Sequence, residues 1–450
     1  MPRAATRILA LTVLAVTLGA CAPRLPEVTP ADIPRLEAAV RANPDDLQSR
    51  VLLGIAQYRS ENFLEARNTL GVAVERGASE GAAFLFLGLA SEEVEDWRGA
   101  RNAYSRYIEV GRFDPLKEEL AARLTLLVQR EMEAEARSAL ARESELSASP
   151  PAPRSVAVLP FQLISEDESL APLGLALADM VTTDLSLAQA LQVLERGQIQ
   201  ALVRELDLTE AGYTDPTTGA RTGRLLRAEH VVQGAFTTLG EAAVRFDTDI
   251  LNTEQQAQRG TFSEEGQLAS LFDVEKEIVF SVLDVLGVDL TPAERSAIND
   301  NRTESLQAFL AYGQGLEALD QSNYEEAAQF FNQALQLDPS FQMAQEQAVQ
   351  SGQLERGTGT STQQIAIQSD QEMGGNVQGT DDPIPSEQDA LLLSMVNSVN
   401  PNPSDNLLGT GSGGGDEGQE RNPTQESGGG EGVTQGTTFT ILLRFLRPGS

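Results

Sequence analysis

The chain has 450 residues, with 66 Asp and Glu against 33 Lys and Arg and a formal charge of −33. No basic face can be gathered from that balance, which excludes nucleic acid as a partner. One His and one Cys in the whole chain leave no material for a His-based triad or a Cys/His zinc site, and the length predicts about two to four domains.

The first segment, MPRAATRILALTVLAVTLGAC, opens on Arg3 and Arg7, runs apolar from Ile8 to Leu18 and closes on small residues before Cys21. That is the layout of a signal peptide, and its apolar run is shorter than the ~20 residues that span a bilayer as a helix. Leu18-Gly19-Ala20-Cys21 resembles the lipobox of bacterial lipoproteins. The resemblance implies removal of residues 1–20, acyl chains such as palmitate on Cys21, and a lipidated linker over 21–31. Each buried CH₂ contributes ~0.8 kcal/mol, so more than one chain anchors stably. Ala22 stands where the family's inner-membrane retention signal places Asp, which implies an outer-membrane lipoprotein facing the periplasm.

Helical repeats are predicted over 32–146. In LLGIAQYRSENFLEARNTLGVAVERGA, Gly54, Phe63, Ala66, Leu70 and Ala73 fall at the spacings of a tetratricopeptide (TPR) repeat. Gly88, Trp97, Ala100 and Tyr104 repeat them one unit later. The clearest copy lies far downstream, in 291–351, where Gly315, Tyr324, Ala327, Phe331, Ala334 and Pro339 take the same places. Small residues let paired helices approach, and the aromatic that opens each second helix fills the space between pairs, so Trp97 and Tyr324 are assigned to packing. The upstream copies lack the closing Pro, and the second has Tyr107 where Ala is usual. The helix in ADIPRLEAAVRANPDD and the long helix after Asp114 are expected to cap the stack, keeping its terminal faces from being apolar and wet.

Prolines at 147–153 end the helical region, and a mixed α/β layer is predicted for 154–290. SVAVLPFQLI reads as a strand and LAPLGLALADMVTTDLSLAQ as a helix. LQVLE reads as a short strand, and GQIQALVRELDL and RTGRLLRA as helices. VVQGAF, AVRFDTDIL and QQAQRGTF read as mostly short strands, before a closing helix over LASLFDVEKEIVFSVLDVLG. The ordered segments VAVLPF, VLERGQIQALVRELDL and AEHVVQGAF, with Pro160, Phe161, Glu195, Arg196, Glu205, Leu206 and Gly234, resemble the domain shared by the curli-secretion channel family (CsgG), the flagellar lipoprotein FlgO and TolB-like N-terminal domains. The resemblance implies a periplasmic α/β domain and, in one branch, a pore. A pore needs strands of ~9–11 residues with sustained alternation. The short strands predicted here favour a member without one.

His230 lies among strand residues and reads as structural, while Asp247 and Asp249 share a strand face, as an acidic chain produces by composition alone. Gly174 and Gly223 stand outside any phosphate-cradling loop. No enzymatic activity, metal or cofactor is expected. Residues 352–436, rich in Gly, Gln and Ser, are predicted to be a disordered linker with one helical island, SEQDALLLSMVNSV. TTFTILLRFLRPGS, within 437–450, is predicted to be a terminal strand that adds to a sheet edge.

The fold class expected is α+β multidomain, with TPR repeats flanking a CsgG-like α/β sandwich. The function expected is a lipid-anchored scaffold or adaptor that binds envelope proteins or peptides through its TPR groove, reaches the membrane through Cys21 and leaves self-association open. A ring-forming export component and a small-molecule sensor are the alternatives.

Overall fold

The computed structural model describes residues 28–374, apart from 111–115, 166–167, 207–213, 240–242, 302 and 304. The signal peptide, Cys21, most of the linker behind it, the tail from 375 onward and the terminal strand all lie outside the described residues.

The chain opens with helices α1 (Ile33–Ala42), α2 (Leu47–Arg59), α3 (Phe63–Glu75), α4 (Gly81–Glu93), α5 (Trp97–Val110), α6 (Leu116–Ala141) and α7 (Glu143–Ala148). Downstream, α13 (Leu306–Asp320) and α14 (Tyr324–Leu337) form another pair. Each pair α2/α3, α4/α5 and α13/α14 turns the same way. Glu61, Glu95 and Ser322 take left-handed φ values of 62°, 58° and 62°. The following N–H groups, of Asn62, Asp96 and Asn323, donate to the carbonyls of Gln57, Ser91 and Ala318 at 3.0, 2.8 and 2.9 Å. Such a bond satisfies a carbonyl that the ending helix would leave without a partner, and it aims the chain into the next helix.

The helices of each pair meet where a glycine faces a large side chain. A Cβ on Gly54, Gly88 or Gly315 would stand 2.4 Å from Leu70, 2.3 Å from Tyr104 or 2.5 Å from Phe331. Close approach at these three points is what the repeat pattern encodes.

The middle of the chain contains β1 (Ala152–Val158), β2 (Gln162–Ile164), α8 (Pro172–Ser186), β3 (Gln192–Val193), α9 (Arg196–Glu205), α10 (Pro216–Leu225), β4 (Ala228–Leu239), β5 (Ala243–Asn252), β6 (Ala257–Gln267) and α11 (Leu271–Leu286). The sheet order is β3-β1-β4-β5-β6, with β2 pairing β4 beyond the end of β1. β1 runs parallel to β3 and β4, while β4, β5 and β6 are successive antiparallel neighbours. Val156, Val232, Phe236, Phe246 and Ile250 point to one face and pack on α8 and α11. Ala157, Leu159, Val231 and Leu251 point to the other and pack with Ile199 and Val203 of α9.

β4, β5 and β6 are longer than the sequence suggests, at 12, 10 and 11 residues. β4 is covered on both faces, which removes the alternation that marks a strand. β6 is an edge strand that runs past the end of QQAQRGTF: Ser263, Glu264 and Glu265 pair with Asp247, Phe246 and Arg245 of β5. Strands of this length, with β5 polar on one face and apolar on the other, no longer speak against a pore. The wet face is hydrogen-bonded: Arg245 pairs with Asp247 at 2.8 Å, and Asp247 and Asp249 accept from Ser263 at 2.5 Å and Thr261 at 2.7 Å. The apolar face, Val244, Phe246 and Ile250, is buried under α8 and α11 and presents nothing to lipid.

After α12 (Pro292–Asp300), the pair α13/α14 leads into α15 (Gln342–Gly359) and α16 (Thr362–Gly374). Phe309, Tyr312, Phe331 and Phe341 share one continuous core with Val156, Phe236 and the α8 side chains, so the downstream repeat and the sheet are buried together. Two expectations change here. Residues 352–359 and 362–374, predicted to be linker, are helical. One of their glycines serves packing: a Cβ on Gly357 would stand 2.7 Å from the Ala122 carbonyl, so a residue that reads as irregular instead permits α15 to lie close on α6. The second change concerns α6, which is a shared spine and not a terminal cap. Leu126 packs with Tyr324 and Leu354, while Ala136 packs with Ala201, Leu202 and Leu225.

Candidate functional site

Two concave features arise from this arrangement. The first is a cleft of about 660 Å³ where α6, α8, β3, α9, the end of α13 and α15 converge. Its walls are rich in amide and hydroxyl groups, among them Gln129, Gln198, Gln347, Gln350, Thr182 and Thr183. Arg196 crosses from α9 to pair with Asp320 at 2.6 Å. Asp179 of α8 accepts the Tyr312 hydroxyl. Burial pushes the Asp179 carboxyl above the usual carboxylate range, against the opposing pull of Arg196 and of the Tyr312 hydrogen bond. Glu195 faces the cleft water, yet the surrounding protein raises it by desolvation from an ordinary 4.5 to about 7. None of this was visible in the sequence, because the cleft draws on segments more than a hundred residues apart; Glu195 and Arg196 were singled out only as resemblance residues.

The second feature is the face formed by the first helices of the upstream pairs, α2 and α4, with α6 beside them. α16 occupies it. Thr362, Ile365, Ala366 and Ser369 form its buried stripe. Ile365 and Ala366 join the core of the upstream repeats, with Ile55, Tyr58 and Phe86. At one end Thr362 donates to Glu93, and Gln363 donates to the same carboxylate at 2.9 Å. At the other end Arg59 pairs with Asp370 while its guanidinium lies 5.7 Å from the Phe86 ring centroid. Arg123, held by Glu92 at 2.5 Å, donates to the carbonyls of Gly357 and Thr360 and so caps the end of α15. Tyr104 donates to Glu92 at 3.0 Å, and burial first, then the Glu92 charge, raises its hydroxyl well above the ordinary range.

The residues picked from the repeat pattern separate by position. Ala66, Ala100 and Ala327 are fully buried, and Gly54, Gly88 and Gly315 make the close approaches described above. Trp97 is half-buried against the upstream core. Tyr324 packs with Leu126 and Leu354, and its hydroxyl donates to Gln129 at 3.0 Å, tying the downstream repeat to α6. Pro339 is exposed in the turn after α14. His230 is buried on β4, 3.4 Å from Arg259 and 3.6 Å from Glu229. Burial lowers its pKa, Glu229 opposing and Arg259 assisting. Cys21 lies outside the described residues.

Residues 141–245 match the family model described as curli production assembly/transport component CsgG. The match covers α7 through the first part of β5 and includes both cleft residues Glu195 and Arg196. This part of the chain carries a CsgG-type domain. Among solved structures the chain is similar to a tetratricopeptide repeat protein from Parabacteroides merdae ATCC 43184. The two share 12% identity over 71% of this chain and 91% of that one, with a TM-score of 0.20. At that score the repeat assignment rests on this chain's own turns and glycine contacts. No curated protein matches. Among the described residues no helix is long and apolar enough to cross a membrane.

Proposed function

We propose that the protein is a non-enzymatic scaffold of the bacterial envelope, tethered by lipid on Cys21 to the outer membrane and facing the periplasm, where it binds partner proteins to assemble or regulate a complex. The observation that carries this reading is the build of the described residues. A CsgG-type domain shares one core and the Arg196–Asp320 bridge with the downstream repeat and packs on α6 of the upstream block, giving a platform with repeat surfaces on both sides. The family description, an assembly and transport component, supports an envelope role. The test is fractionation of cells expressing the wild type and Cys21→Ala, with labelled fatty acid and in-envelope crosslinking. The wild type should be labelled, pellet with outer membrane and crosslink to discrete partners, whereas Cys21→Ala should lose label and pellet. An unlabelled or cytosolic wild type sinks the proposal.

A ring-forming export component is the competing reading, and the burial of the apolar face of β5 under α8 and α11 argues against it. Conductance in planar bilayers, or a stable ring by light scattering, would favour it. The amide-rich junction cleft supports a third reading, a sensor of a small polar molecule, which ligand-panel thermal shifts of the wild type would detect.

A further inference from the structure

Repeat grooves hold extended or helical segments, and here the upstream groove already holds one from its own chain. α16 meets it through three kinds of contact in fixed order. A hydroxyl, Thr362, addresses Glu93 at one end. Two aliphatic side chains, Ile365 and Ala366, enter the repeat core. A carboxylate, Asp370, addresses Arg59 at the other end. Among the residues whose burial is described, Gln363, Gln364 and Ile367 face outward, the last 57% exposed. The chain enters it through Thr360 and Ser361 alone, and its principal helix contacts are with α4 and α6.

A segment joined by so short a connection competes for its groove at high effective concentration, yet it buries only one stripe. We propose that α16 is an intramolecular ligand that closes the upstream repeat groove. The groove's external partner is then a short amphipathic helix of the same chemistry: a hydroxyl residue at its start, two aliphatic residues one turn on, and a carboxylate at its far end. The polarity is set by Glu93 and Arg59: in a helix inserted in the opposite sense the carboxylate would meet Glu93 and be repelled, and Arg59 would lose its ion partner. This deepens the proposed scaffold function by naming the partner chemistry, and depends on it only for that partner being an envelope protein. Peptide binding in solution is independent of where the protein resides, so the Cys21→Ala experiment and the one below can fail separately.

The test uses the full chain and a fluorescent peptide spanning residues 361–374, read by anisotropy. Ile365→Asp in the full chain places a charge in the apolar seat and releases α16. It should bind the wild-type peptide at least about tenfold more tightly than the wild-type chain does, because a closed groove weakens apparent affinity by the fraction of molecules that are open. Asp370→Arg in the full chain keeps the apolar contacts and should give an intermediate gain. Adding Arg59→Asp to the Ile365→Asp chain should abolish binding of the wild-type peptide and restore it for a peptide carrying Asp370→Arg. Hydrogen exchange over 362–370 should be slow in the wild type and fast in Ile365→Asp. Equal binding by wild type and Ile365→Asp, no binding by either, or no recovery from the charge reversal would overturn the proposal. So would a doubling of wild-type mass in light scattering that Ile365→Asp abolishes, since α16 would then be exchanged between two copies.

Discussion

Arg196 and Asp320 meet at 2.6 Å across the boundary between α9 of the sheet unit and the end of α13. The guanidinium also lies 3.4 Å from the Leu316 carbonyl, so one side chain holds both the terminus of a repeat helix and its last carboxylate. Arg196→Met would leave Asp320 facing Asp179 without the intervening cation. Removing one partner of a buried pair costs about 3–5 kcal/mol. Cleft water reaches 16% and 13% of the two side chains, so a loss at the lower end, about 3 kcal/mol, is expected. Urea unfolding of the purified chain measures it. A double variant, Arg196→Met with Asp320→Asn, should recover part of the loss; a single-variant loss below about 0.5 kcal/mol would make the bridge no stronger than a surface pair.

Glu195 ties the same cleft to pH. Its folded pKa, about 7, lies above its ordinary 4.5, so across that window the folded chain binds more protons than the unfolded one. Stability from this group is therefore unaffected below about pH 4.5, declines as pH rises toward 7 and stays reduced above. Asp179, Arg196, Arg204 and Asp320 line the same cleft. Glu195→Gln should leave the melting temperature unchanged at pH 4 and raise it at pH 8, with the difference developing between. Identical pH profiles for the two proteins would mean that solvent in the cleft screens the carboxylate fully.

How much of this could be read beforehand depends on whether the signal was local. Gly54, Gly88 and Gly315 were legible because a repeat writes the same close approach at the same offset each time. The order of strands and helices from Val156 to Leu286 was legible for a related reason, since each element is a local run, an apolar or β-branched stretch for a strand and a helical spacing for a helix. The length of β6 was not, because an edge strand with one wet face can carry Ser263, Glu264 and Glu265 in a row. Nor was the helix through Gly357, where Gly, Ser and Thr report flexibility only until Ala122 is known to lie against them. The cleft and the occupied groove belong to a third kind. Glu195 with Asp320, and Arg59 with Asp370, are brought together only by α13 through α16 folding back onto α6, and no local pattern records that return.

The glycine contacts carry a graded prediction. Gly88→Ala would place a Cβ 2.3 Å from the Tyr104 ring and Gly315→Ala one 2.5 Å from Phe331, and both rings are fully buried. With nowhere for the rings to move, each change should cost about 1–3 kcal/mol through overpacking. Gly71, inside α3, has nothing within 4 Å of a Cβ, so Gly71→Ala should stabilise by about 0.5–1 kcal/mol through helix propensity. Thermal unfolding of the three variants should therefore move in opposite directions. A stabilising Gly88→Ala would remove the packing account of the repeat.

Beneath the sheet, Lys276 extends between α8 and the end of α12. Its ammonium contacts Asp184, lies 3.0 Å from Glu275 and donates to the Asn301 carbonyl at 2.6 Å, while Asn301 donates to Asp184 at 2.6 Å. Two carboxylates share one cation here. Burial, then the Asp184 charge, raises Glu275 well above the usual range, and burial also raises Asp184, against the pull of Lys276 and Asn301; the contact with the ammonium and the Asn301 hydrogen bond assign Asp184 as the ion partner of Lys276. Glu275→Gln keeps the shape and removes the second carboxylate's competition for the lysine, so at pH 7 it should change stability by less than about 1 kcal/mol. Lys276→Met strands the Asp184 charge and should cost about 3–5 kcal/mol. The sign with pH follows from the raised value: the native chain retains a proton that the unfolded chain releases, so wild-type stability falls as pH rises above the ordinary 4.5 toward the folded pKa. Glu275→Gln should flatten that decline. If it instead destabilises as much as Lys276→Met at pH 7, Glu275 is the ionised partner of the lysine, and the assignment of charge within this cluster must be reversed.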